Sequence, residues 1–533
     1  MEDNQMGGQL ITKAWTGLAL MLMGLILLVP NRLSLISPMA FALWPLEPLV
    51  LGLVLLIPGL IGQIGRLITT LLLVVGMVVK LADIGAYQVF DRAFNPVLDA
   101  RWPADGFHWL QGSLGLLGAI IVVMLLVVLL LAISVISYKA LGLIEGLLRQ
   151  SAKSVSLGLI AGLMLWTALV SNGRQVAAAP FYQLLAEHSQ QALTSIADLQ
   201  AFEQQLKQDP YAALADDKLF KILEGKDVLV VFVESYGRTV VDKADYAAKI
   251  KPLLAKGSAD LVAQGIQARS AYLTSPTYGG ISWLAHGTLM SGLWINSQLR
   301  YDRLVASQHR ALNRLFQRAG WRTIAVQPAH TMPWPQGEYF GYDQIYAAQD
   351  LGYHGQPFNW ITMPDQFTLS AVQSLERKAG PRKPLMAEIA LISSHAPWTP
   401  LPQMVDWQQL GDGQIFNQAR IGDAPEVVWQ NTERIREQYR KSIEYALSNI
   451  IAYSLRYADE DLVLLVLGDH QPSAFVTEES PSHEVLVHLI SRDTKLMQAV
   501  TGWQWTEGLL PADNAPVLGM DKMREQFIAA FSK

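Results

Sequence analysis

Leu462-Val463-Leu464-Leu465-Val466-Leu467-Gly468-Asp469-His470 is the stretch from which the fold can be worked out. Its six aliphatic residues are too few for a helix and apolar on both faces, as a strand covered on both sides must be. The run stops on glycine and delivers a carboxylate and an imidazole at its carboxyl end. Val228–Val233, Thr323–Val326, Met386–Ile392 and Val485–Ile490 read the same way. Between them, Arg310–Ala319, Asp365–Lys378 and Val427–Tyr457 carry the amphipathic spacing of helices. The alternation predicts a mostly parallel sheet with helices on both faces. Ligands of such sheets bind where the strands end. Glu234 follows the first run, Ser393, Ser394 and His395 follow the third, and Asp469 and His470 follow the fourth. Chemistry-bearing groups therefore converge on one edge.

Outward from this half, the composition changes. Of 533 residues, 51% are hydrophobic and only 16% charged, too apolar for a wholly soluble protein. The excess sits in residues 1–172, where five apolar segments suit membrane spans: Ala14–Val29, Met39–Gly62, Leu67–Ala86, Leu114–Ser137 and Ser154–Val170. Pro45, Pro48 and Pro58 put a kink into the second. Glu2, Asp3 and the lack of a small-residue cleavage site argue against a removed signal peptide. Lys13, Arg66, Lys139, Arg149 and Lys153 lie on one side of these segments, and Arg32, Arg92 and Arg101 on the other. That bias puts the N-terminus in the cytoplasm, and five crossings put the rest outside. Lys80 and Asp83 are expected near the outer end of the third span, as a mutual pair or in contact with a lipid headgroup. Residues 173–225 read as a juxtamembrane helical linker, with helical spacing over Phe181–Leu206, and 226–533 as the catalytic domain.

A net charge of −5 and the absence of any basic run give no sign of a nucleic-acid partner. With no cysteine, a metal must be held by oxygen and imidazole. Glu234, Asp469 and His470 suit one divalent cation, Zn²⁺ or Mn²⁺. A fourth ligand that such a cation would also activate is a hydroxyl. Ser275-Pro276-Thr277-Tyr278-Gly279-Gly280-Ile281-Ser282 can supply it. Ser282 opens a helical pattern, where the N-terminus favours phosphate. It reads equally as an N-cap on a glycine turn, and Thr274, Ser275 and Thr277 compete with it.

These residues resemble the alkaline phosphatase/sulfatase superfamily. Together with the spans, the chain is similar to its membrane branches, the lipoteichoic acid synthase-like phosphoglycerol transferases and the lipid A phosphoethanolamine transferases. Ser282-Trp283-Leu284-Ala285-His286-Gly287-Thr288-Leu289-Met290-Ser291-Gly292 overlays the sulfatase motif C/S-x-P-x-R-x-x-L-x-T-G, with Ser282 at the nucleophile. Gly279 matches the glycine three residues before the nucleophilic threonine of the phosphoethanolamine branch. Leu284 and His286 stand where sulfatase maturation needs Pro or Ala and where the motif has Arg, so the resemblance does not extend to a mature sulfatase. It implies Glu234, Ser282, Asp469 and His470 as metal ligands, and Ser282 as nucleophile. His395 and His483 are implied as catalytic and substrate-side histidines, and His286 as a phosphate contact, a helix-packing role being the alternative. Trp334 opens a stretch similar to a substrate-binding segment of the phosphoglycerol transferases, with Gln336 in place of its arginine. The implied activity transfers phosphoethanolamine or phosphoglycerol from a membrane phospholipid to an envelope glycan or lipid through a covalent Ser282 intermediate. The resemblance places it at a bacterial inner membrane with the catalytic domain periplasmic. A phosphodiesterase, phosphatase or sulfatase-type hydrolase, and an inactive lipid-binding regulator, are the alternatives.

Overall fold

The computed structural model describes the chain apart from residues 1–16, 19, 22, 174–176, 212–213, 333, 360, 378–379, 478–481 and 533. It divides into two compact units, Met1–Tyr87 with Arg92–Asp198, and Gln88–Asp91 with Leu199–Lys533.

Among the described residues, three helices are long and apolar enough to cross a membrane: α2 (Gly59–Phe90), α3 (Trp102–Gln150) and α4 (Ala152–Ser171). Gly115, at φ 72°, breaks the helical course inside α3. The expected segment Met39–Gly62 is not one helix. Pro38–Ala42 and α1 (Glu47–Leu56) are separated by the extended Trp44–Pro45, and Pro58 parts α1 from α2. Ala14–Val29 begins outside the described residues; helix is present within its later part. The expected linker helix is α5 (Pro180–Leu206).

Lys80 and Asp83 are both buried and do not pair with each other. The Lys80 ammonium donates to the carbonyls of Ile26, Leu27 and Val29 at 2.8, 3.0 and 2.7 Å. Those carbonyls lie at the end of a helix, where intrahelical donors run out. Asp83 accepts from Asn31 Nδ2 (2.6 Å) and Phe94 N (2.8 Å), with His188 Nε2 at 3.1 Å. The buried charges of α2 are thus satisfied by protein groups.

The second unit is built on a nine-stranded sheet. Its strands are β1 (Asp227–Val233), β2 (Gln267–Thr274), β3 (Arg322–Gln327), β4 (Gln344–Ala347), β5 (Leu385–Leu391), β6 (Leu462–Gly468), β7 (Glu484–Ser491), β8 (Thr506–Glu507) and β9 (Val517–Gly519). The order is β8-β2-β7-β6-β1-β5-β3-β4, with β9 beside β2. From β6 to β4 every pairing is parallel, whereas β7 is antiparallel to both β6 and β2. Alternate residues feed two cores. Leu229, Val231 and Val233 join Ile389, Leu464 and Val466 under α6 (Ala244–Ala263), α8 (Asp365–Leu375) and α9 (Thr432–Tyr457). Val228, Val230 and Phe232 join Met386, Val463 and Leu465 under α7 (Ser282–Ser291) and α10 (Met520–Phe531). Both faces are covered, so the strand sequences are apolar throughout. The expected helix Val427–Tyr457 is interrupted: a short turn ends at Val428, and the Asn431 side chain caps α9 by accepting from Arg434 N.

Candidate active site

In the β6–β1 register Gly468 faces Val233, so Asp469 and Glu234 leave the sheet side by side. Val233 also pairs with Leu391, which brings the Ser393-Ser394-His395 turn to the same edge. Gly468 is required there. A Cβ on it would lie 2.0 Å from the Tyr236 carbonyl oxygen, backbone that cannot yield.

The turn after β1 is pinned on every side. Glu234 N donates to Leu391 O (3.1 Å), and Ser394 Oγ donates to Glu234 O (2.6 Å). Ser235 N donates to Asp469 Oδ1 (2.7 Å), and Ser235 O accepts from Tyr439 (2.8 Å). Asp469 Oδ1 takes a second main-chain donor, His470 N, at 2.7 Å. His470 Nδ1 lies 2.7 Å from Gln471 O, which fixes a hydrogen on Nδ1 and turns Nε2 inward. Ser235 Oγ donates to Glu234 Oε1 (2.9 Å).

Ser282 Oγ completes the cluster. It lies 3.0 Å from Glu234 Oε2 and 3.1 Å from His470 Nε2. His470 Nε2 is 3.3 Å from Glu234 Oε1 and 3.7 Å from Asp469 Oδ2. Tetrahedral ligands on bonds of about 2 Å are separated by about 3.3 Å, so the donors are already spaced for one cation. Glu234, Asp469 and His470 form the one His/Asp/Glu group among the described residues whose ligand atoms come this close.

Electrostatics agree with the spacing. Burial and the neighbouring Glu234 charge push Asp469 up to about 7. Burial opposes a charge on His470, yet Asp469 and Glu234 raise it to about 9. Burial would also raise Glu234, but the charges of His395 and His470 hold it well below the carboxylate range. Two carboxylates this close require positive charge between them, which a proton on His470 or a divalent cation can supply.

Ser282 is the first helical residue of α7 and its hydroxyl is no N-cap; it turns to the carboxylate and imidazole instead. Ile281, the residue before it, sits at φ 62°, a left-handed conformation costly for a β-branched residue. Ser275 Oγ is spent on Asp469 O and Thr277 Oγ1 on Gly280 O. Thr274 ends β2, opposite Glu484.

Of the other expected site residues, His395 follows β5 and exerts its charge on Glu234, with Nδ1 2.7 Å from Ala396 O. β7 begins at the edge where β1, β5 and β6 end, so His483 enters there; its ring centroid is 5.5 Å from that of Tyr278, and burial pushes its imidazole down. Trp334 packs on Phe340 and lies edge-on to His330 at 5.4 Å. His286 lies one turn beyond Ser282, with Nδ1 2.6 Å from Glu388 Oε1 and its ring stacked on Phe232 at 3.7 Å. Sequence reasoning missed Glu388 and His330. Each had a signal: a lone carboxylate inside an apolar strand, and a histidine shortly after β3.

No curated protein matches the chain. Among solved structures it is similar to the lipoteichoic acid synthase LtaP of Listeria monocytogenes, at 13% identity and TM-score 0.39, over 59% of this chain and 73% of that one. It is also similar to the Streptococcus pyogenes phosphoglycerol transferase GacH, at 12% and 0.37, over 64% and 91%. A third is the C-terminal periplasmic domain of EcEptC from Escherichia coli, at 13% and 0.36, over 58% and 82%. The family profile described as Sulfatase matches residues 226–498, more than half of the chain, and so the chain belongs to the sulfatase family.

Proposed function

We propose that the protein is a membrane-anchored, metal-dependent phosphotransferase that moves a phospho-headgroup, phosphoethanolamine or phosphoglycerol, from a phospholipid to an envelope acceptor through a covalent intermediate on Ser282. The observation that carries this reading is the 3.0 and 3.1 Å approach of Ser282 Oγ to Glu234 and His470. Three helices long and apolar enough to span a bilayer favour a lipid donor.

Glu234, Asp469, His470 and Ser282 would hold one divalent cation, Zn²⁺ or Mn²⁺, whose Lewis acidity lowers the pKa of the serine hydroxyl and offsets phosphoryl charge. Ser282 Oγ attacks the phosphorus of the headgroup as its proton passes to Glu234 Oε2, the bond to the diacylglycerol oxygen breaks, and His395 supplies the proton to that oxygen. The N-terminal N–H groups of α7 face the charge that gathers on the phosphoryl oxygens. His286, His483 and Trp334 are assigned to the substrate side. In this reading the catalytic domain, 226–533, lies outside a bacterial inner membrane.

The test is mass spectrometry of the full chain purified from its own membranes. A phosphoethanolamine or phosphoglycerol adduct on the Ser282 peptide names the headgroup. An adduct on a different residue, with turnover surviving Ser282→Ala, would refute the reading.

A further inference from the structure

Glu388 stands in the middle of β5 at 2% exposure, on the face that carries Met386 and lies under α7. A carboxylate in such a core must be partnered. Both its oxygens are: Oε1 lies 2.6 Å from His286 Nδ1, and Oε2 accepts from the Tyr342 hydroxyl. Tyr342, on the loop before β4, is itself half-buried, and its phenol is held far above the usual range by desolvation and by Glu388, so it stays a donor. An ionised carboxylate only accepts, so the hydrogen between the two groups belongs to His286 Nδ1. Phe232, stacked on the imidazole with only 16° between the planes, fixes the ring's tilt. A neutral imidazole held in this tautomer has its remaining lone pair on Nε2.

The ring is also set by the two elements that build the candidate active site. Phe232 lies two residues before Glu234 on β1, and Ser282 lies one helical turn before His286 on α7. His286 is within electrostatic reach of both Asp469 and His330.

We infer that Tyr342, Glu388 and His286 form a relay in which His286 Nε2 is the base for the second half of the transfer and Glu388 is its positioning residue. This rests on the Ser282 intermediate proposed above. The acceptor hydroxyl oxygen bonds to phosphorus as the bond from phosphorus to Ser282 Oγ breaks. The hydroxyl proton passes to His286 Nε2, and the bonding pair returns to Ser282 Oγ. Glu388 holds the tautomer and stabilises the imidazolium that forms, the task of the third member of a catalytic triad.

The test uses the full chain in vesicles of phosphatidylethanolamine and phosphatidylglycerol, with glycerol as the hydroxyl acceptor, quenched and read by mass spectrometry of the Ser282 peptide. Loss of a general base costs about 10²-fold or more in the step it serves. His286→Asn and Glu388→Gln are therefore expected to raise the adducted fraction of Ser282 at steady state, with Tyr342→Phe doing so to a lesser extent. An adduct that forms in the first turnover of the wild type but does not rise in these variants overturns the relay. No adduct in any quench overturns the underlying Ser282 reading instead. A second measurement needs no variant to fold well: long-range ¹H–¹⁵N correlation on ¹⁵N-histidine protein, with His286→Asn used only to assign the resonance. Hydrogen on Nδ1 alone is expected; an Nε2–H or doubly protonated ring overturns the assignment.

Discussion

Chelation should lower the stability of the catalytic unit by an amount the geometry lets us bound. His470 Nε2 already lies 3.1–3.7 Å from Ser282, Glu234 and Asp469, Ser282 lies 3.0 Å from Glu234, and Glu234, Asp469 and His470 are held by hydrogen bonds that do not depend on a cation. Binding therefore needs no refolding of the site, and nearly all of its free energy appears as added stability. A cation at a hundred times its dissociation constant stabilises by about 2.7 kcal/mol. A domain of about 300 residues moves by about 1.5 °C per kcal/mol, so the midpoint should fall by about 4 °C in EDTA and recover with Zn²⁺ or Mn²⁺. The control is Asp469→Asn. It removes the carboxylate that Glu234 and burial make unfavourable, while an amide oxygen can still accept from Ser235 N and His470 N. Its chelated midpoint should match or exceed that of the chelated wild type, and its response to cation should vanish. Differential scanning calorimetry of the full chain in nanodiscs is the assay. An equal cation shift in Asp469→Asn, or none in the wild type, would refute the assignment of these donors to a metal.

Ser282→Ala should abolish turnover and the adduct while leaving the chelated midpoint within about 1 °C, because the residue is only half-buried; activity assays and calorimetry on one preparation check this. Gly468→Ala forces a methyl to 2.0 Å from Tyr236 O, so overpacking should cost about 3 kcal/mol in urea denaturation and weaken cation affinity by displacing the Glu234 turn. Asp227 is buried between Arg377 (2.9 Å) and Arg382 (2.5 Å); Asp227→Ala leaves Arg377 only Asp459 (3.2 Å) as an ionic partner and releases Arg382 towards solvent, and should cost about 3 kcal/mol. Burial would raise the Asp227 carboxyl, but hydrogen bonds from Arg382, Arg377 and Leu385 N hold it below its ordinary value. Its stabilisation is complete above the ordinary carboxyl pKa and lost as pH falls through the lower folded value. The urea midpoint should therefore drop below about pH 4, less steeply in Asp227→Asn.

The strands most readable in the sequence were those with uniform apolar runs: β1, β5 and β6 begin and end within a residue or so of expectation. β2 escaped because Gln267-Ala268-Arg269-Ser270-Ala271-Tyr272-Leu273-Thr274 mixes polar residues into a paired strand. Ser270 is fully buried there only because it meets His488 Nδ1 (2.6 Å) and Gly508 O (2.6 Å), partners more than 200 residues away. The same limit governs the site. Glu234, Asp469 and His470 could be found from the polar residues directly after each strand, since that search needs only local pattern and a parallel sheet. Local pattern left Ser282 level with Ser275 and Thr277; the motif resemblance chose it, and the structure shows the other two hydroxyls occupied by Asp469 O and Gly280 O. Glu388 meets His286 across 102 residues, a distance no periodicity can report.

The pinned turn after β1 bears on how the proposed cation would be loaded. Main-chain donors from Ser235 and His470 hold Asp469, and Leu391 O and Ser394 hold Glu234, whether or not anything sits between the carboxylates. The socket is therefore made by the polypeptide itself, and its occupant is a replaceable part. Under the proposed metal reading, loading would come after folding, and the cation bound would be set by what the surroundings provide.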